Sequence, residues 1–167
     1  NHYFDNPFRT QFEVVQKHFW STPVFEGLAN ILFSPSRGLF IYSPVLIFAI
    51  IGMILSWRKS ETLLFRYLSI GVVANILLYS KFFYWLGGYT YGPRLLADIT
   101  PILCLFLIET KSLFTKSIFK IAFLILAAFS ITAHAIGSYA DHMRWNADLQ
   151  INLHPEVGWD WTDNQLV

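Results

Sequence analysis

The chain lacks most of what a soluble domain is built from. Charged residues make up 14% of its 167, against about 25% in an average soluble protein. Cysteine occurs once, at Cys104, which excludes an internal disulfide. Its apolar neighbours read as the setting of a small buried hydrophobe, so cysteine leaves the redox compartment open. The five histidines form no metal pattern: His134 and His142 lie eight apart with no third ligand at suitable spacing, so no metal and no cofactor are expected. A net charge of +1 gives no bulk attraction to nucleic acid. Internal repeats and low-complexity tracts are absent as well.

What the chain has is hydrophobic length. Apolar residues reach 54% and aromatic residues 18%. Leu39–Trp57 runs nineteen residues without a charge, and Arg58-Lys59 follow at once. As a helix it covers roughly 28 Å, close to a bilayer's hydrocarbon core. Without water there, backbone groups must pair within the segment, as a helix does. Leu63–Ser80 is a second such run, with Arg66 near its start. Pro93–Ile108 is a shorter third, with Arg94 and Asp98 at its beginning, and Ile121–Ala140 is a fourth. Pro101 should bend the third span by removing one helical hydrogen bond. The expected fold is all-α and polytopic, with four transmembrane helices and short extracytoplasmic surface helices. Residues 1–38 form an outer segment, 39–140 the bundle and 141–167 an outer tail rich in Trp and Asp.

Basic residues orient the bundle. The short loops after spans one and three hold Arg58, Lys59, Arg66, Lys111, Lys116 and Lys120, half of the twelve Lys and Arg. The other side carries nine of the eleven acids. The positive-inside bias places the short loops in the cytoplasm and both termini outside, as for a multi-pass membrane protein. The chain begins at Asn1 without a signal-peptide pattern, yet its first 38 residues are expected outside. That suggests the C-terminal piece of a longer polytopic protein, or else a processed N-terminus.

The outer segments hold the residues with chemical potential. Phe8, Phe12, Val15 and Phe19 fall at helical spacing, as do Phe25, Leu28, Ala29 and Leu32, with Ser21-Thr22-Pro23 as a helix start between them. Two short amphipathic helices are expected, lying on the membrane surface or packed on neighbouring spans. Ser34-Pro35-Ser36-Arg37-Gly38 precedes span one, and the loop from Lys81 to Arg94 precedes span three, with turns at Gly87-Gly88 and Gly92-Pro93. An Arg at a helix start combines free backbone N–H groups with a planar fork that matches phosphate oxygens. Arg37, Arg94, Lys81 and Tyr91 are therefore candidates for gripping one anionic headgroup, although Arg and Tyr also collect at membrane interfaces as anchors. Asp98, four residues after Arg94, could bridge to it on one helix face or act as a general base. The tail cluster Trp159-Asp160-Trp161-Thr162-Asp163 could cap the bundle or stack on sugars.

The stretch from Phe33 to Pro44, then Trp85-Leu86-Gly87-Gly88-Tyr89-Thr90-Tyr91-Gly92-Pro93-Arg94-Leu95-Leu96, and finally the tail cluster, together resemble the C-terminal half of bacterial glycosyltransferases of the GT-C superfamily, relatives of the dolichyl-phosphate-mannose protein mannosyltransferases. The resemblance implies a polyprenyl-phosphate sugar donor and transfer at the extracytoplasmic face. Such proteins place their catalytic Asp in a first outer loop that has no counterpart here, so no catalytic residue is carried over. The expected partners are membrane lipid, the donor lipid, and an upstream part of the same protein or neighbouring membrane subunits. The rival expectation is a non-catalytic structural subunit of a membrane complex.

Overall fold

The computed structural model describes residues 19–58, 63–139, 146–148 and 154–166. Among these the fold is helical and contains no strand. In chain order come α1 (Val24–Phe33), α2 (Leu39–Tyr42), α3 (Leu46–Trp57), α4 (Leu63–Ser80), a 3-10 helix at Arg94–Ile99, α5 (Thr100–Phe106), a 3-10 helix at Leu107–Thr115, α6 (Ser117–Tyr139) and a last 3-10 turn at Pro155–Trp159. The expected helix around Phe8–Phe19, Lys59 and Trp145 fall outside the described residues, apart from Phe19 itself.

Two helices are long and apolar enough to cross a membrane: α4 with 18 residues and α6 with 23. At 1.5 Å per residue they reach about 27 and 35 Å. Most of their surface is unburied, and it is apolar: Leu64, Ile70, Val73 and Leu78 on α4, and Leu124, Ile125, Phe129 and Ile131 on α6. The two remaining expected spans are not single helices. Leu39–Trp57 breaks at Ser43-Pro44, where Ser43 takes φ −133° and ψ 62°. The proline ring disfavours helical backbone at the residue before it and offers no N–H to the preceding turn. Pro93–Ile108 is likewise composite. Pro101 sits in the first turn of α5 and so starts a helix where a bend within one was expected.

The core is where α3 crosses α5 and the 107–115 segment, while α1 lies across α4. Leu46, Ala49, Val72, Leu96, Leu103 and Phe106 fill it, and Phe65 meets Phe106 edge-on at 5.4 Å. Phe48, Phe114 and Phe123 stack to join α3, the 107–115 segment and α6. Two glycines bring backbones into contact. A Cβ on Gly52 would stand 2.0 Å from the Phe106 carbonyl oxygen, and one on Gly27 would stand 1.6 Å from that of Ser80.

The Gly27 contact decides which face of α1 packs. The helix buries Gly27, Asn30 and Ile31, and leaves Phe25 88% exposed. Small residues permit the closest approach, so the small face docks and the stripe of Phe25, Leu28, Ala29 and Leu32 points further outward. Cys104 also departs from expectation: it is exposed on α5, whose buried side is taken by Leu103 and Phe106.

Candidate functional site

The two basic turns anticipated from the sequence meet at one loop. Arg37 Nε donates to the Leu86 carbonyl at 2.6 Å, and Arg94 Nη1 donates to the next carbonyl, Gly87, at 3.1 Å. Gly87 and Gly88 adopt φ of +67° and +80°, a left-handed backbone that glycine enters without steric cost. This turns their carbonyls toward the guanidinium groups.

The two arginines differ in what remains free. Arg37 is 2% exposed. Beyond Leu86, it donates to the Ser36 carbonyl at 2.9 Å, to Gln165 Oε1, to the Gly88 carbonyl at 3.3 Å and to Asn146 Oδ1 at 2.8 Å. A guanidinium has five N–H groups, so all of them are engaged. None of the acceptors is a carboxylate. Burial pulls its pKa down to about 10, which still leaves it charged at neutral pH. Arg37 thus acts as a clamp joining the 34–38 turn, the 86–88 turn, Asn146 and the tail. The four-residue α2 behind it is too short for the helix-end field invoked from the sequence.

Arg94 is exposed, and among the described residues it makes one side-chain hydrogen bond. It stands at a cavity of about 330 Å³ lined by Ser43, Tyr91, Pro93, Ala97, Thr100, Pro101 and His134. The 3-10 geometry decides which neighbours it has. With three residues per turn, Arg94 eclipses Ala97, and both line the cavity. Asp98 falls about 120° away, is exposed, and makes no ion pair with Arg94 among the described residues. The one-face pairing of Arg94 and Asp98 assumed an α-helix, and this element is not one.

On the same lining, Ser43 Oγ and His134 Nε2 lie 2.8 Å apart. Tyr91 closes one wall. Its hydroxyl donates to the Ala133 carbonyl at 2.6 Å, its ring meets Tyr42 edge-on at 5.2 Å, and burial pushes its phenol up to about 12. A Cβ on Gly137 would stand 2.2 Å from the Tyr91 ring, so α6 depends on that glycine to pass. Lys81 is exposed, lines no cavity shared with Arg94, and accepts the Thr22 N–H on its carbonyl at 3.2 Å.

The tail is seated on these loops. Ser36 Oγ donates to the Gly158 carbonyl at 2.8 Å, and Gly158 packs so closely on Trp85 that a Cβ would stand 2.5 Å from its ring. Asp160 Oδ1 accepts the Thr162 N–H and hydroxyl at 2.8 and 2.7 Å, which holds the carboxyl below its usual range. Gln165 reaches the loop twice more: Oε1 accepts from Gly92 N–H at 3.1 Å and Nε2 donates to the Thr90 carbonyl at 2.9 Å. Asn146 Nδ2 donates to the same carbonyl at 3.2 Å. Sequence reasoning passed over Asn146, Gln165, Ser43 and Thr100. No local sequence signal marked Asn146 and Gln165, whose Arg37 contacts span 109 and 128 residues.

No family model, curated protein or solved structure matches the chain.

Proposed function

We propose that this chain is part of a membrane glycosyltransferase that takes a sugar from a polyprenyl-phosphate donor at the extracytoplasmic face. The observation that supports this most is the cavity beside Arg94. It joins an open guanidinium, able to meet phosphate oxygens, to an apolar wall of Pro93, Ala97 and Pro101 suited to a prenyl chain. In this reading α4 and α6 cross the bilayer unbroken, while α2–α3 and residues 94–115 cross as broken segments. The latter measures about 40 Å along its mixed 3-10 and α path. Irregular backbone is tolerated at membrane depth where it is covered by protein or lines a cavity.

Transfer would be a single inverting displacement. An acceptor oxygen bonds to the anomeric carbon, the bond from that carbon to the phosphate oxygen breaks, and a carboxylate takes the acceptor's proton. The leaving polyprenyl phosphate keeps the electron pair, and Arg94 stabilises its charge. Arg37 has no free donor for this task and serves by holding the 86–88 turn against which Arg94 rests.

Binding of undecaprenyl phosphate to the protein in lipid nanodiscs tests the reading. Arg94→Ala should weaken it by about tenfold or more, and Arg94→Lys should recover part of the loss. Unchanged affinity in Arg94→Ala would overturn the proposal. A second reading, a non-catalytic subunit, draws on the uncovered apolar faces of α4 and α6. It would be favoured by a stoichiometric membrane partner on purification together with donor binding indifferent to Arg94.

A further inference from the structure

A second cavity, of about 640 Å³, opens between the start of α1, the 83–85 loop and the 155–159 turn. Its size lies within the roughly 300–1,000 Å³ range of small-molecule sites. Trp159, 38% exposed, Phe83 and the edge of Trp85 supply aromatic wall, and Glu26 and Glu156 supply carboxylates. No Lys or Arg among the described residues lines it, and its two carboxylates disfavour a phosphate.

Asn30 makes this more than an acidic surface. It lines the cavity and is 4% exposed. Its Oδ1 accepts the Trp159 indole N–H at 2.7 Å, which fixes the orientation of the amide. Its Nδ2 donates to none of the described residues, and it is not among the side-chain atoms sealed in the interior without a partner. A nine-tenths-buried amide therefore holds an open donor toward the cavity, positioned by the same tryptophan that forms the wall. The structural role of Glu26, complementing the start of α1, and the 3.1 Å pairing of Glu156 with His154 leave that donor unexplained.

We propose that this cavity binds a neutral pyranose. The apolar C–H face of the ring would lie on Trp159, as sugars favour aromatic platforms. One ring oxygen or hydroxyl would accept from Asn30 Nδ2, and further hydroxyls would donate to Glu26 and Glu156. A neutral, hydroxyl-bearing ligand is the class that uses a donor and two carboxylate acceptors at once. A quaternary ammonium would leave Asn30 Nδ2 idle. The inference stands apart from the donor-lipid reading, since it needs neither Arg94 nor a phosphate.

The test uses the full chain in phosphatidylglycerol nanodiscs, free of glycoside detergent, with saturation-transfer NMR as readout. The probes are the methyl glycosides of glucose, galactose, mannose and N-acetylglucosamine, with choline as the competing class. At least one pyranoside should bind saturably. Trp159→Ala should weaken it about tenfold, while Trp159→Phe, which keeps an aromatic face, should lose less. Glu26→Gln, an isosteric change at an exposed position, should weaken it several-fold. The proposal fails if none of the four pyranosides binds, if choline alone saturates the site, or if Trp159→Ala and Glu26→Gln both bind as the parent does. No polyprenyl phosphate is present, so failure here and failure of donor binding at Arg94 are separate results.

Discussion

Removing the Arg37 side chain is the sharpest perturbation this structure offers. Keeping the guanidinium charged at a pKa near 10, below its ordinary value, costs about 3 kcal/mol of solvation. Five hydrogen bonds offset that cost, each charge-assisted and worth about 1.5–3 kcal/mol. Arg37→Ala relieves the solvation cost and deletes all five. It also takes a donor from the carbonyls of Ser36, Leu86 and Gly88 and from the side-chain oxygens of Asn146 and Gln165, although Gly88 keeps the Thr90 N–H and Gln165 keeps the Gly92 N–H. Breaking such a buried charged network by removing one partner typically costs about 3–5 kcal/mol, a large part of the stability of an average domain. Lys at 37 keeps the charge but offers three donors from one point, and so should be intermediate. The sign with pH follows from the lowered folded pKa. The solvation penalty is constant below pH of about 10 and eases only above it. The deficit of the variant should therefore be flat from about pH 6 to 9. Detergent-titrated unfolding followed by tryptophan fluorescence measures the loss, and hydrogen exchange over residues 154–166 reports the tail. A deficit below about 1 kcal/mol, with tail protection unchanged, would refute the clamp.

Two further expectations rest on other parts of the fold. Gly27→Ala should destabilise by about 3 kcal/mol, because its Cβ would collide with the Ser80 backbone. Gly71→Ala, with nothing within 4 Å, should be neutral or stabilising by up to about 1 kcal/mol. Equal unfolding midpoints for the two variants would contradict the α1–α4 contact. In whole cells, Tyr89→Cys should react with an impermeant thiol reagent while Lys116→Cys should require permeabilisation, both residues being exposed. Labelling of position 116 from outside would reverse the proposed orientation.

Hydropathy located α4 to the residue and α6 to within four, because both present apolar surface on nearly every side. That pattern needs no knowledge of neighbours. It failed where local backbone chemistry interrupts an apolar run: a continuous first span ignores Ser43-Pro44, and in the third the proline expected to bend a helix, Pro101, begins one. The Arg94–Asp98 pairing failed for a related reason. Side-chain spacing was converted to direction with 3.6 residues per turn, and the segment winds at three. For α1, the apolar stripe was expected on the membrane surface or on neighbouring spans, and Gly27 and Asn30 mark the side that packs within the described fold. Close approach of backbone selects small residues over large ones.

The state of Arg37 was the hardest thing to read, and the reason is physical. Its fate depends on Asn146 and Gln165, 109 and 128 residues away, and no local pattern announces contacts at that range. Composition still narrows the possibilities. A chain with eleven acids among 167 residues has few carboxylates to place beside a buried cation, so the charge must be met by dipoles or stay in solvent. Dipoles able to do so come from turns whose carbonyls point inward and from carboxamides. Here the Gly87-Gly88 turn, Asn146 and Gln165 fill that role. Arg94 rests on the same turn, and among the described residues its fork makes no other hydrogen bond. Of two arginines in similar Gly/Pro turns, the one that Asn146 and Gln165 reach is fully bonded, and the other, among the described residues, keeps most of its fork unbonded.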